Sequence, residues 1–165
     1  MNLILYGPSC CGKSTLMRLL ANKGFKAVPT GDITRLLYGI GATCMPHIVQ
    51  TIISTMKPDN YCFDHFYIHT WEQLNDKFDS QPVVIRVVDA RKNPTYHSQA
   101  IDKIKRKQAR FEAQSAEIEA FFKAHNITPI TVTNTDYGFD MSELIEHKII
   151  PYEELVVQKP EVNNE

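Results

Sequence analysis

Gly7-Pro-Ser-Cys-Cys-Gly-Lys-Ser14 is the stretch that decides the fold. It fills every fixed position of G-x-x-x-x-G-K-[ST]. The apolar run Leu3-Ile-Leu-Tyr6 ahead of it reads as a buried strand. Thr15 to Lys23 behind it reads as a helix, with Gly24 as the C-terminal stop. Strand, glycine loop and helix in that order are the context that makes the pattern a phosphate-binding loop. Backbone N–H groups of such a loop, together with the N-terminus of the helix, form an anion cradle. The pattern places Lys13 on terminal phosphates and the Ser14 hydroxyl on Mg²⁺.

The chain has 165 residues, which predicts a single domain over 1–150 with a polar tail over 151–165. Net charge is −1, so recognition of phosphate has to be local, and nothing suggests a positive groove for nucleic acid. No apolar run has the length of about 20 residues that crosses a bilayer, and no signal peptide is visible. The expectation is a cytoplasmic protein without a membrane partner. The four cysteines, Cys10, Cys11, Cys44 and Cys62, make neither a zinc set nor a disulfide framework. Cys10 and Cys11 lie near a helix N-terminus, where a thiol can be reactive. They are also small residues of the kind that variable loop positions accept.

Five strands are expected, at Leu3–Tyr6, Lys26–Val28, Tyr61–Phe63, Val83–Val88 and 129–133. Helices are expected between them, including His47–Lys57, Thr70–Phe78 and one long stretch over about 99–125. This alternation predicts an α/β fold: a five-stranded parallel sheet covered on both faces. Along the long helix Ile101, Ile104, Gln108, Phe111, Ser115, Ile118 and Phe122 step by three and four. The polar members Gln108 and Ser115 interrupt the stripe, so part of this helix should face a cleft or solvent. Asp140-Met-Ser-Glu143 reads as a capping box before a short helix.

A glycine loop alone does not separate ATPases, GTPases and kinases. A switch GTPase needs D-x-x-G and N-K-x-D, and Asp64-His-Phe-Tyr67, Asp89-Ala-Arg-Lys92 and Asn134-Thr-Asp-Tyr137 satisfy neither. Thr30-Gly-Asp-Ile-Thr-Arg35, in contrast, has the form T-G-D-x-x-R. With the loop, with Asp64 closing the third strand and with the basic run Lys103–Arg110, the chain resembles the P-loop nucleoside monophosphate kinases, the adenylate and thymidylate kinase group. The resemblance is scattered over about residues 3 to 150. It implies a three-layer P-loop kinase fold with a short helical lid near 90–110 and an acceptor region near 30–60.

That resemblance also implies roles. Gly7, Ser9, Cys10, Cys11, Gly12, Lys13, Ser14 and Thr15 would hold the ATP phosphates. Thr30, Asp32 and Arg35 would bind the acceptor. Ser14 and Asp64 would hold Mg²⁺, the latter through water. Arg106 and Arg110, four apart on one helix face, would join Lys13 and Asp64 as the catalytic set, neutralising the phosphoryl group in transfer. Arg91 and Lys92 are alternative lid cations. The loop at Asn134-Thr-Asp136 would lie against the donor base. The chain departs from the family after Asp64. His65 stands where glycine or arginine is expected, and no arginine occurs between Arg35 and Arg86. His65, His69 or Lys57 can be considered as replacements. The resemblance implies transfer of the ATP γ-phosphate to a nucleoside or deoxynucleoside monophosphate; the runner-up acceptors are a deoxynucleoside, a nucleic-acid 5′-hydroxyl or a small metabolite, and a non-catalytic ATP-binding protein is a further alternative. A monomer or a homodimer fits the family.

Overall fold

Strand β1, Leu3–Tyr6, is buried along its whole length, as a central strand of an α/β sheet must be. The chain then passes through residues 7–12 into helix α1, Lys13–Ala21. The computed structural model describes residues 1–30, 55, 60–78, 80–92, 94 and 101–151. Within these follow β2 (Lys26–Val28), β3 (Tyr61–Phe63), α2 (Ile68–Lys77), β4 (Val83–Asp89), α3 (Ile101–Ala124), β5 (Ile130–Thr135), β6 (Gly138–Asp140) and α4 (Ser142–Glu146). The strands are hydrogen-bonded in the order β2-β3-β1-β4-β5-β6.

Two compact units share strand β4. One comprises Met1–Tyr6 and Lys13–Ile85, the other Gly7–Gly12 and Arg86 onward. In the first unit β2 and β1 both run parallel to β3, with Val28 opposite Phe63 and Ile4 opposite Phe63 on its other edge. The Val83 N–H donates to the Asn2 carbonyl at 2.9 Å where β4 begins. Leu16 and Leu20, one turn apart on α1, are fully buried, as are Leu3, Ile4, Leu5 and Leu74. Each such leucine contributes about 1.5–3 kcal/mol by leaving water. The turn that follows α1 closes at Gly24, whose φ of +100° is the left-handed conformation common after helices; its N–H reaches the Ala21 carbonyl at 3.3 Å.

In the second unit β5 alternates buried and half-buried positions, so Ile130, Val132 and Asn134 share the inward face. Val87, Ile104, Phe122, Leu144 and Ile150 are among the other apolar residues buried in this unit. Helix α3 buries Ile104 and Phe122 but leaves Ile101 59% exposed, so the three-four stripe is buried only in part. The Ser115 hydroxyl bonds back to the Glu112 carbonyl at 2.7 Å.

The α/β class and the five expected strands are present. The expected all-parallel, five-stranded sheet is not. Six strands occur among the described residues, and β6 runs antiparallel to β5, with Thr135 opposite Gly138. The reason is local: Asp136 and Tyr137 form a two-residue hairpin turn, and Gly138 at φ +115° lets the chain reverse. The capping box at 140–143 is also corrected. Asp140 Oδ1 accepts from the Ser142 N–H and hydroxyl, whereas the Glu143 carboxylate accepts from the Thr131 N–H at 2.5 Å and ties α4 to β5. Of the span 90–110 expected to form a lid, residues 101–110 are the first turns of α3. The expected helix at His47–Lys57, apart from Thr55, and the tail beyond Pro151 lie outside the described residues. No described helix is long and apolar enough to cross a membrane.

Candidate functional site

The loop Gly7–Gly12 turns through two positive-φ residues, Cys10 at 62° and Gly12 at 104°. A non-glycine residue in that region is uncommon, so surrounding contacts must hold Cys10 there. They do. Three successive carbonyls of the loop each accept a side-chain hydrogen bond from a different place in the chain. Gln108 Nε2 on α3 donates to the Ser9 carbonyl at 3.2 Å. Arg91 Nη2, just past β4, donates to the Cys10 carbonyl at 2.7 Å. Asn134 Nδ2 on β5 donates to the Cys11 carbonyl at 3.0 Å. Within the loop the Cys11 N–H reaches the Pro8 carbonyl at 3.3 Å.

Arg91 is itself held in place. Its Nε and Nη2 fork onto the two carboxylate oxygens of Asp89 at 2.9 and 2.8 Å. Burial pushes the Asp89 carboxyl up, but the Arg91 hydrogen bonds and charge outweigh it and hold the group below the usual carboxylate range.

Both motif glycines are dictated by space. A Cβ on Gly7 would lie 2.7 Å from the Val87 carbonyl oxygen and 2.8 Å from Cys11 Sγ. One on Gly12 would lie 2.6 Å from Asn134 Nδ2 and 3.0 Å from Phe139 Cζ.

Lys13, Ser14 and Thr15 continue the chain from the loop into the first turn of α1, in the other unit. Ser14 and Thr15 are exposed, and Lys13 is half-buried. In that unit Thr30 and Asp64 come together. The Thr30 N–H donates to Asp64 Oδ1 at 3.0 Å, and the Thr30 hydroxyl donates to the same oxygen. The register accounts for this: Val28 and Phe63 are opposite each other, so both residues leave the carboxyl ends of parallel strands side by side. That end of a parallel sheet is where α/β proteins bind ligands.

His65 is set by its surroundings. Burial, with the Lys13 charge second, lowers its pKa to about 4, and its ring lies 4.6 Å from that of Tyr67. It is therefore neutral at pH 7 and does not replace the missing arginine as a cation. Lys57 and the side chains of His69 lie outside the described residues, as do Asp32 and Arg35. Cys62, buried under this end of β3, has its thiol pushed up to about 12 by burial and by Asp64, so it is no nucleophile.

His65, half-buried and neutral, predicts acid sensitivity. Between pH 6.5 and 4 the unfolded chain takes up a proton that the folded chain refuses. Stability is therefore full above pH 6.5 and falls as pH drops towards 4, by about 3 kcal/mol at most. In urea titrations at pH 7.0 and 4.0, His65→Gln should lose that much less than the unsubstituted chain. An equal loss in both would assign the acid sensitivity to other groups.

Arg106 and Arg110 occupy exposed positions on α3. Gln108 of that helix does reach the loop, and its signal in the sequence is its interruption of an apolar stripe. Asn134 has a comparable signal: a polar side chain at an inward position of a strictly alternating strand, only 6% exposed. Its carbonyl also accepts the Ala90 N–H at 2.8 Å, so its observed role is to join β4, β5 and the loop. Arg91 reads in the sequence as a lid cation, and nothing there indicates that it grips the loop.

The oxygen donors Ser14 and Asp64 suit a hard cation. No group of three His, Cys, Asp or Glu side chains that could cage a metal occurs among the described residues. Few protein oxygens, with water and phosphate completing the shell, is the pattern Mg²⁺ takes in phosphoryl-transfer sites, and a hydroxyl and a carboxylate are oxygen donors of that kind. No protein-family model matches the chain, and no curated protein matches it in sequence.

Proposed function

We propose that this chain is an ATP-dependent phosphotransferase of the P-loop kinase kind, with a nucleoside or deoxynucleoside monophosphate as acceptor. The observation that carries the reading is the loop itself. Its two glycines admit no side chain, two of its residues hold positive φ, and it runs directly into Lys13 and Ser14 at the first turn of α1. Those are the features a backbone phosphate cradle requires.

In this reading the acceptor phosphate oxygen attacks the γ-phosphorus of ATP. The bond from that phosphorus to the β,γ-bridging oxygen breaks, and ADP leaves with the electron pair. A monophosphate has a second pKa of about 6, so its attacking oxygen is already deprotonated at pH 7. No general base is then needed, in keeping with His65, which is a poor proton acceptor at low pH because its imidazole is held neutral down to about pH 4. The chain's work is positioning and charge. Loop N–H groups and Lys13 hold the donor phosphates. Thr30 orients Asp64, which with Ser14 would hold Mg²⁺; the ion supplies charge neutralisation on the phosphates. Arg35 places the acceptor, and Arg106 and Arg110 supply positive charge from α3.

The test is ADP release from MgATP against a panel of ribo- and deoxynucleoside monophosphates, with nucleosides and a 5′-hydroxyl oligonucleotide alongside. The proposal expects at least tenfold acceleration by one or a few monophosphates. A response to nucleosides or the oligonucleotide alone would move the acceptor class. No response to any acceptor, with ATP bound, would make the protein a nucleotide-binding one.

A further inference from the structure

Three tethers on three consecutive loop carbonyls do more than stabilise a turn. A peptide unit is planar and trans, so fixing one carbonyl fixes the N–H of the next residue pointing the opposite way. The Gln108 bond to the Ser9 carbonyl therefore sets the Cys10 N–H. The Arg91 bond to the Cys10 carbonyl sets the Cys11 N–H, which turns to Pro8. The Asn134 bond to the Cys11 carbonyl sets the Gly12 N–H. The donors come from α3, from the end of β4 and from β5, so the loop is pinned from three directions within one compact unit. Asp89 locks the arginine fork, and Asn134 is itself buried.

We propose that Gln108, Arg91 and Asn134 are positioning residues that preorganise the loop N–H groups and thereby set its affinity for polyphosphate; this rests on the phosphate-loop reading above. None of the three needs to touch the nucleotide. Dipoles already aimed at an anion need no reorganisation when it arrives, whereas an untethered loop has to be ordered by the ligand at a cost in affinity.

The experiment is calorimetric titration of the full chain with inorganic tripolyphosphate and with MgATP, alongside thermal melting. The variants are Gln108→Met, which keeps the side chain's bulk, Asn134→Ala, and Arg91→Lys, which keeps the charge but loses the fork. Glu119→Gln, on the same helix as Gln108 and paired with Arg86 of β4, serves as control. Each tether variant should weaken tripolyphosphate binding by roughly five- to tenfold, the equivalent of one lost hydrogen bond. The KM for MgATP should rise while that for the acceptor stays put, and backbone amides of Cys10 and Gly12 should exchange faster. Glu119→Gln should bind as the unsubstituted chain does. Dissociation constants within twofold of the unsubstituted chain in folded Gln108→Met and Arg91→Lys would overturn the inference. So would lower melting temperatures at unchanged affinity, the mark of a purely structural role. An unsubstituted chain that binds neither tripolyphosphate nor MgATP would instead overturn the phosphate-loop reading, and this inference with it. If Asn134→Ala fails to fold, Gln108→Met decides, since Gln108 is not in the core.

Discussion

Lys13→Ala should lower kcat/KM for phosphoryl transfer at least about a thousandfold while the protein stays folded, a loss of roughly 4 kcal/mol of transition-state stabilisation. Charge moves onto the bridging oxygen and the transferring group as the bond breaks, and an ammonium aimed at those oxygens gains most at that moment. The fold does not depend on it in the same way. Lys13 is a half-buried residue at the start of α1, and the helix is held by Leu16, Met17 and Leu20 beneath it. The melting temperature should therefore shift by no more than about 3 °C, the equivalent of roughly 1 kcal/mol. Lys13→Arg should not restore the rate, because a planar fork is a different shape from a compact point charge. Steady-state kinetics with the best acceptor and a melting curve decide the matter. Turnover within tenfold of the unsubstituted chain would remove Lys13 from the chemistry.

Gly12→Ala should damage both stability and binding, by about 2–5 kcal/mol in stability and about 10 °C in melting temperature. Two costs combine. The backbone at φ +104° disfavours any Cβ. That Cβ would also meet Asn134 Nδ2 at 2.6 Å and Phe139 Cζ at 3.0 Å. Asn134 cannot yield cheaply, since the amide that would have to move holds the Cys11 carbonyl. Gly24→Ala separates the two costs. Its φ is +100°, but nothing lies within 4 Å of a Cβ there. It should lose only the backbone strain, about 1–2 kcal/mol, and keep its tripolyphosphate affinity. Equal losses in the two variants would assign the whole effect to φ and none to packing against β5 and β6.

These two residues show why much of the site is legible in sequence. A phosphate cradle is local: strand, loop, helix, with glycines where backbone geometry excludes side chains and a lysine at the helix start. Those demands fall on consecutive residues, so they are written as a consecutive motif. The pairing of Thr30 with Asp64 is not legible in that way: each follows a three-residue strand, and it takes the register of the parallel pair to bring them side by side. Parallel neighbours bring such positions together.

Other features depend on distance along the chain. The sixth strand is three residues long, too short for a period to declare itself, and its direction follows from a hairpin turn. His65 looks like a spare cation on paper. An ordinary imidazole is already mostly neutral at pH 7, and burial, with Lys13 beside it, removes the cationic fraction that is left.

By itself, then, the sequence determined the α/β class, the order of strands and helices that flank the loop, and the identity of the loop residues, because each is a matter of local spacing and backbone preference. Only the tertiary structure decided that Gln108, Arg91 and Asn134, 99, 81 and 123 residues from their partners, close on three adjacent carbonyls of that loop. The physical reason is that a side-chain-to-carbonyl tether has no periodicity and no preferred separation. It exists only once helix and sheet packing has brought donor and acceptor within hydrogen-bonding distance.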